Sequence, residues 1–212
     1  GLPLAEWRLA ATPEEAGAAA AELGGQVALK AVAPGLVHKT EAGAVRLGLA
    51  GADQVAGVAR EMVDRVAAAG NQASGFLVQR MAEPGVELLV GVVHDPSFGP
   101  VVACGAGGTA VELLKDVAVR ITPLTDLDAR QMIRSLATFP LLDGYRGAPK
   151  ADVASVEDIL LRVSALVDER PELAELDLNP VIASPGGAVI VDARIRLARP
   201  AAPLPVGARS SR

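Results

Sequence analysis

Near the end of the chain, carboxylates and an amide recur at short spacing in Glu175-Leu176-Asp177-Leu178-Asn179-Pro180, and a further carboxylate follows in Val191-Asp192-Ala193-Arg194. Asp177 and Asn179 are two apart and so share one face of a strand, while Leu176 and Leu178 take the other. If Ser184–Gly187 closes a hairpin, Ala183 stands opposite Ala188. The same register then sets Asn179 opposite Asp192 and Asp177 opposite Arg194. Two carboxylates and an amide oxygen are hard donors, suited to Mg²⁺ shared with a polyphosphate. The same residues also read as an exposed hairpin face with an Asp–Arg cross-strand pair. On pattern alone both readings stay open.

Lys30 sits inside the apolar run Val27-Ala28-Leu29-Lys30-Ala31-Val32. Lysine is rarely buried without a partner, so it points either to solvent or into a cleft where it meets an anion such as phosphate. His38, one of two histidines, lies in Pro34-Gly35-Leu36-Val37-His38-Lys39-Thr40-Glu41-Ala42-Gly43. Imidazole on a glycine-flanked loop is a possible nucleophile toward phosphorus, with Lys39 to offset charge; the alternative is a solvated loop histidine. His94 ends a strand before a turn and reads as structural. Glu87 interrupts the apolar run Val86-Leu88-Leu89, as a carboxylate turned into a cleft would. Gly105-Ala106-Gly107-Gly108-Thr109 follows a strand, and the backbone N–H groups of such a loop can cradle an anion. Its spacing matches neither a phosphate-binding P-loop nor a dinucleotide fingerprint.

The elements that must carry these residues are legible from periodicity and punctuation. Thr12-Pro13-Glu14-Glu15 opens a helix, with Glu15 closing a capping box, and Gly24-Gly25 ends it. Strands are expected at Val27–Ala33, Val45–Leu49, Gly75–Met81, Val86–His94, Pro100–Cys104 and Val117–Ile121. A turn is expected at Asp95–Gly99. Val55, Val58, Met62 and Val66 mark one face of a helix that Gly70 stops. Further helices are expected to open at Thr125, with Asp128 three on, and at Ser155, with Asp158 three on. The last carries Val156, Ile159, Leu160, Val163 and Val167 on one apolar side. Mixed helices and hairpins predict an α+β fold in two lobes, with the joint near Gln79–Pro84.

Composition narrows the function. The 212 residues are 50% hydrophobic but only 2% aromatic, so the core must be built from Ala, Val, Leu and Ile. The net charge of -5 argues against nucleic acid or an anionic membrane as partner. The single cysteine, Cys104, excludes an internal disulfide and a cysteine-based zinc site, and fits a reducing, cytoplasmic setting. No apolar run reaches the ~20 residues that span a bilayer. Gly1-Leu2-Pro3-Leu4 carries neither a signal-peptide pattern nor an initiator Met, and the chain is expected to be one piece of a longer polypeptide.

Taken in order, the segments around Lys30, His38, Gln79–Met81, Glu87 and Gly105–Asp116, then Leu142-Asp143-Gly144-Tyr145-Arg146-Gly147, Asp177–Asn179 and Asp192, resemble one family. It is the ATP-grasp domain of the ADP-forming acyl-CoA synthetases, the acetate–CoA ligases related to succinyl-CoA synthetase, and the resemblance runs over roughly residues 1–197. It implies a two-lobed ATP-grasp fold with nucleotide between an N-terminal lobe (1–80) and a C-terminal lobe (81–198); the tail (199–212), Pro/Ala-rich and polar from Pro200, is expected to be disordered. It implies ATP/ADP and Mg²⁺ as cofactors. Lys30 would contact phosphates, Gln79 and Met81 would lie at the hinge beside adenine, and Glu87 would face the nucleotide. Asn179 and Asp192 would bind Mg²⁺ with Asp177 in support. His38 would take phosphate from a partner domain's phosphohistidine and pass it to ADP, and the glycine-rich segment Gly105–Thr109 with Glu112 would belong to the active-site region. Thr40-Glu41 and Gly43-Ala44-Val45 depart mildly from the family's Ser-Asp and Gly-Gly-Val. The CoA-binding and phosphohistidine-bearing domains, which would bind the acid or acyl-CoA, are expected as partners in cis or trans. The expected activity is acyl-CoA + ADP + phosphate ⇌ acid + CoA + ATP. One alternative is a regulatory or silent ATP-grasp module of a multidomain protein acetyltransferase, which has no need to keep Lys30, His38, Asn179 and Asp192 together. Another is a ligase working through an acyl phosphate, which has no need of a His38 relay.

Overall fold

The computed structural model describes residues 1–33, 43–95, 97–108 and 115–199. His38, Glu112 and the tail from Pro200 lie outside them. The chain divides into one unit of Leu4–Glu83 and another formed by Gly1–Pro3 with the residues from Pro84 onward. The first three residues join the second unit because Ile190 N donates to the Pro3 carbonyl at 2.8 Å and Arg162 Nη1 donates to the Gly1 carbonyl at 2.8 Å.

In the first unit, strands β1 (Trp7–Ala10), β2 (Gln26–Val32), β3 (Val45–Ala50) and β4 (Gly75–Arg80) form a sheet in the order β1-β4-β2-β3. Helices α1 (Pro13–Leu23) and α2 (Ala52–Ala68) cover one face of it. Thr12 caps α1 by accepting from Glu15 N at 3.2 Å; Glu15 reaches back to Ala11 N at 2.7 Å, one residue beyond the position a capping box prescribes. With so few aromatics the core is made by close approach. Ala16, Ala19 and Ala20 of α1 pack with Leu29, Val55, Met62, Phe76 and Val78. A Cβ on Gly17 would lie 2.7 Å from the Ala52 carbonyl oxygen, so only glycine lets α1 meet α2 there. Strand β1 is not among the expected strands because its four residues, three of them exposed, are too short a run for the alternation of Trp7-Arg8-Leu9 to mark it.

In the second unit, β5 (Val86–Asp95), β6 (Gly99–Ala106), β7 (Val117–Ile121), β8 (Leu173–Ser184), β9 (Gly187–Ile190) and β10 (Ala193–Leu197) form a sheet. Its order is β10-β8-β5-β6-β7, and β9 also pairs with β8. All strand pairs in both sheets are antiparallel. Helices α3 (Asp126–Arg134), α4 (Phe139–Leu142) and α5 (Val153–Glu169) accompany it, with a 3-10 turn at Tyr145–Gly147. Ile159, Leu160 and Val163 of α5 pack against Leu88, Val90, Val102, Leu176, Leu178 and Val181. The expected capping box at Thr125–Asp128 is present.

Two local expectations need correction. Helix α5 opens at Val153, not at Ser155, because Asp152 is the cap and accepts from Ser155 N at 3.3 Å. Strand β6 continues past Cys104 to Ala106. Gly105 belongs to the strand, and a Cβ there would lie 2.5 Å from the Asp116 carbonyl oxygen.

Candidate functional site

The register of β8 against its neighbours builds the centre of the site. Ala183 pairs with Ala188, Leu178 with Ala193 and Asp177 with Arg194, so one register runs through both β9 and β10. Asn179 N donates to the Asp192 carbonyl at 3.2 Å, which sets those two residues opposite each other as the spacing predicts. On the other side of β8 the register shifts. Val181 faces Leu88 but Leu178 faces Val90, so Asn179 and Pro180 together stand opposite Leu89 alone. This is a β-bulge, and it lets both Leu178 and Val181, three apart, reach the core. Val191 and Asp192 break the opposite edge at the same level, with Val191 N donating to the Pro180 carbonyl at 3.0 Å. Asn179 and Asp192 thus sit in matching irregularities, the kind of place where a side chain is aimed away from the regular pleat.

Asp177 lies on the sheet face away from α5, half-buried and opposite Gly91 of β5, which contributes no side chain. Burial pushes its carboxyl above the usual range. Arg194 opposes the shift, and the charges of Asp192 and Glu175 add to it. Among the described residues no group of three or more His, Cys, Asp or Glu is gathered. The hairpin offers two carboxylates and one amide oxygen, an incomplete shell for a free cation. That donor set fits Mg²⁺, which binds through one or two carboxylates and completes its shell with phosphate and water.

Asn179 Oδ1 accepts a hydrogen bond from Gly108 N at 3.2 Å, across 71 residues of sequence. The glycine run is pinned to β5 as well, because Gly107 N donates to the Glu87 carbonyl at 2.8 Å. Glu87 is exposed and borders a cavity of about 550 Å³ with Val86, Leu141, Tyr145 and Pro149. That volume suits a small organic ligand, and the lining is mainly apolar with a few polar groups.

In the first unit, Lys30 pairs with Leu77 of β4 and Val45 of β3, and Gln79 pairs with Ala28 of β2 and Trp7 of β1. Leu29 and Val78 face the helices, so alternation puts Lys30 and Gln79 together on the other sheet face. Both are buried, at 9% and 5% exposure, and Gln79 Oε1 has no hydrogen-bond partner among the described residues. A buried amide oxygen left unpaired is unusual and marks a place for a donor. Met81, just past β4, is half-buried and donates its N–H to the Gln26 carbonyl at 2.9 Å. His38 and Glu112, both expected in the site, fall outside the described residues. Cys104 is no nucleophile, since burial and then Asp116 push its thiol up to about 12.

The bulge, the place of Gly91 and the contact that Gly108 makes are not legible in the sequence. Gly108 had a signal in the glycine run, but its partner Asn179 is too distant in the chain for spacing to find. The bulge had one in the odd separation of Leu178 and Val181.

The family described as ATP-grasp domain matches residues 1–197. The beta subunit of acetate–CoA ligase [ADP-forming] I from Pyrococcus furiosus is 37% identical over 199 residues, covering 93% of this chain and 86% of that subunit. Acetate–CoA ligase [ADP-forming] I from Archaeoglobus fulgidus is 40% identical over 199 residues, 93% of this chain but 29% of that polypeptide. Among solved structures, one of acetyl-coenzyme A synthetase 1 from Ca. Korarchaeum cryptofilum superposes with a TM-score of 0.84 at 41% identity, covering 93% of this chain and 86% of that one. It holds coenzyme A and Mg-AMPPCP, with its phosphohistidine segment pointing towards the nucleotide binding site.

Proposed function

The chain belongs to the ATP-grasp family of the ADP-forming acetate–CoA ligases, and on that premise we propose that it is the nucleotide-binding, phosphoryl-transferring part of an ADP-forming acid–CoA ligase. The overall reaction is acyl-CoA + ADP + phosphate ⇌ acid + CoA + ATP. The observation that carries this reading is the placing of Asn179 against Asp192 in matching breaks of the sheet, with Asp177 on the adjoining strand face.

Asn179 and Asp192 would hold Mg²⁺, with Asp177 in support. Such an ion, once bound, offsets the negative charge of nucleotide phosphates. Lys30 is a point charge for the same phosphates. Gln79 and Met81 are assigned to the base, where the unpaired Gln79 Oε1 would accept from a ligand N–H. Glu87 is assigned to the nucleotide through its place at the cavity rim. His38 is the proposed relay. The phosphorus–nitrogen bond to the partner's phosphohistidine breaks as one to His38 forms; that bond breaks in turn as a terminal ADP oxygen takes the phosphoryl group.

The relatives occur both as a separate beta subunit and as a longer polypeptide of which this chain matches a part. CoA-binding and phosphohistidine-bearing domains are therefore proposed as partners in cis or trans, and as the place where acid and CoA bind. No helix among the described residues is long and apolar enough to cross a membrane, and a cytoplasmic enzyme is proposed. The named relatives are ligases and a synthetase, which weighs for an enzyme over a regulatory module.

The test is a thermal melt with Mg²⁺ and ADP. A ligand that binds only the folded chain contributes about 2.7 kcal/mol at a hundred times its Kd, a rise of several degrees. Asp192→Asn removes a charged ligand and should cut that rise by at least half while the melt without nucleotide stays close to that of the unmodified chain. No rise in the unmodified chain would defeat the nucleotide reading. An undiminished rise in Asp192→Asn would remove Asp192 from the metal site.

A further inference from the structure

We propose that Gly108 is a positioning residue that sets both the metal-binding amide and the nucleotide-facing carboxylate. The proposal rests on the reading of Asn179 as a metal ligand and Glu87 as a nucleotide contact. It gives a contact and a role to one residue of the glycine run, which family likeness placed in the active-site region without assigning its contacts.

The first observation is directional. Gly108 N–H donates to the side chain of Asn179 at 3.2 Å, and a donor can be met only by the amide oxygen, not by its NH₂. The bond therefore fixes which way round the amide stands. A carbonyl oxygen has two lone pairs, so one satisfies Gly108 while the other stays available to a cation. With that bond gone the amide is free to turn, and NH₂ in place of oxygen repels a metal ion.

The second observation is steric. Gly108 has φ +64, in the left-handed region that favours glycine. A Cβ built there would fall on the Glu87 carboxylate, which occupies the space of the missing side chain. Nor does the segment have room to back away. Gly107 beside it is bonded to the Glu87 carbonyl at 2.8 Å, and a Cβ on Gly107 would lie 2.5 Å from the backbone of Leu88. Any side chain at 108 must displace Glu87, break the bond to Asn179, or both. One glycine thus couples a β5 carboxylate to the β8 bulge.

The experiment uses the full chain and reads the Mg²⁺ enhancement of ADP binding, the ratio of Kd without and with Mg²⁺, by calorimetry. Gly108→Ala should lower that ratio about tenfold, as expected for residues in direct contact that couple. Glu87→Ala alone weakens ADP binding in both conditions and keeps the ratio. In the double variant Glu87→Ala/Gly108→Ala the collision is gone and the ratio should return to within about twofold of that of Glu87→Ala. A glycine needed only for folding would lower the melting temperature and leave the ratio unchanged. An unchanged ratio in Gly108→Ala overturns the proposal, as does a double variant no better than Gly108→Ala. An unmodified chain that binds ADP with no Mg²⁺ enhancement overturns the metal reading itself, a different result from either. Should Gly108→Ala fail to fold, glycine-labelled NMR of the unmodified chain decides. With Mg²⁺ and ADP bound, slow hydrogen exchange at the Gly108 amide supports the bond, and fast exchange overturns it.

Discussion

Gln79 is the side chain whose environment departs most from ordinary protein chemistry. Its Oε1 is buried and, among the described residues, unpaired, next to Val78 and ahead of the exposed Arg80 on β4. Leaving a buried acceptor unsatisfied costs about 1–3 kcal/mol, a penalty that a bound ligand or an ordered water relieves. Gln79→Leu removes the acceptor at similar volume. Its melt without nucleotide should match or exceed that of the unmodified chain, while its affinity for ADP with Mg²⁺ falls by about tenfold, the scale of one hydrogen bond of ~1.4 kcal/mol. Chemical denaturation and calorimetry on the same preparation would check both. A loss of stability with affinity unchanged would make Gln79 a packing residue. The same scale explains why Asp177 alone says little. Its carboxyl is raised by burial and neighbouring acids, and only the arrangement with Asn179 and Asp192 gives it a use.

Elements here are tied at their ends by side chains that reach across the fold. Asp116, just ahead of β7, accepts from Ala137 N at 2.9 Å, Thr138 N at 2.8 Å and Thr138 Oγ1 at 2.6 Å. These bonds anchor the entry to α4, whose Leu141 lines the cavity beside Glu87. Burial pushes the Asp116 carboxyl up, but the bonds from Thr138 and Ala137 outweigh it and hold the group below the usual carboxylate range. A lowered folded value means the unfolded chain takes up the proton first. The stabilisation is therefore complete above the unfolded value of about 3.9 and is lost as pH falls through the folded one. Asp116→Ala should cost on the order of 1 kcal/mol at pH 7, kept modest by solvent around a half-exposed group. In urea titrations the gap between the two proteins should be flat from pH 6 to 8, on the order of that same value, and close below about pH 4. A gap that persisted in acid would show that packing, not the charge, is what Ala removes.

At the scale of the whole molecule the question is what this chain does without its partners. The proposed relay needs both a donor phosphohistidine and bound ADP. The chain alone should bind Mg²⁺ and ADP yet form no ATP from acetyl-CoA, ADP and phosphate. Supplying CoA-binding and phosphohistidine-bearing domains, fused or as a second subunit, should restore ATP formation. In that reconstituted enzyme His38→Ala should lower ATP formation by at least about a thousandfold, as loss of a covalent nucleophile does, with the Kd for ADP changed less than threefold. Near-normal ATP formation by His38→Ala would end the relay.

Local chemistry was enough to read the mixed α+β class, most of the strands and helices, and the opposition of Asn179 to Asp192. Alternation, helix caps and hairpin register are all set by residues within about ten positions of one another. The order of the short motifs added the family, because several weak spacings along one chain agree. Local pattern failed where the partner was distant. Strand β1 is held by β4 and is too short for its own alternation to mark it. The helix α5 cap lies three residues before the expected one because Asp152 outcompetes Ser155. The contact of Gly108 with Asn179 spans 71 residues, and the bulge at Asn179-Pro180 exists because Leu178 and Val181 must both reach a core shared with α5. The residues proposed to hold a metal are therefore legible in the local sequence. Which way their side chains point was decided only when long-range packing imposed the bulge and brought a glycine without a side chain against them.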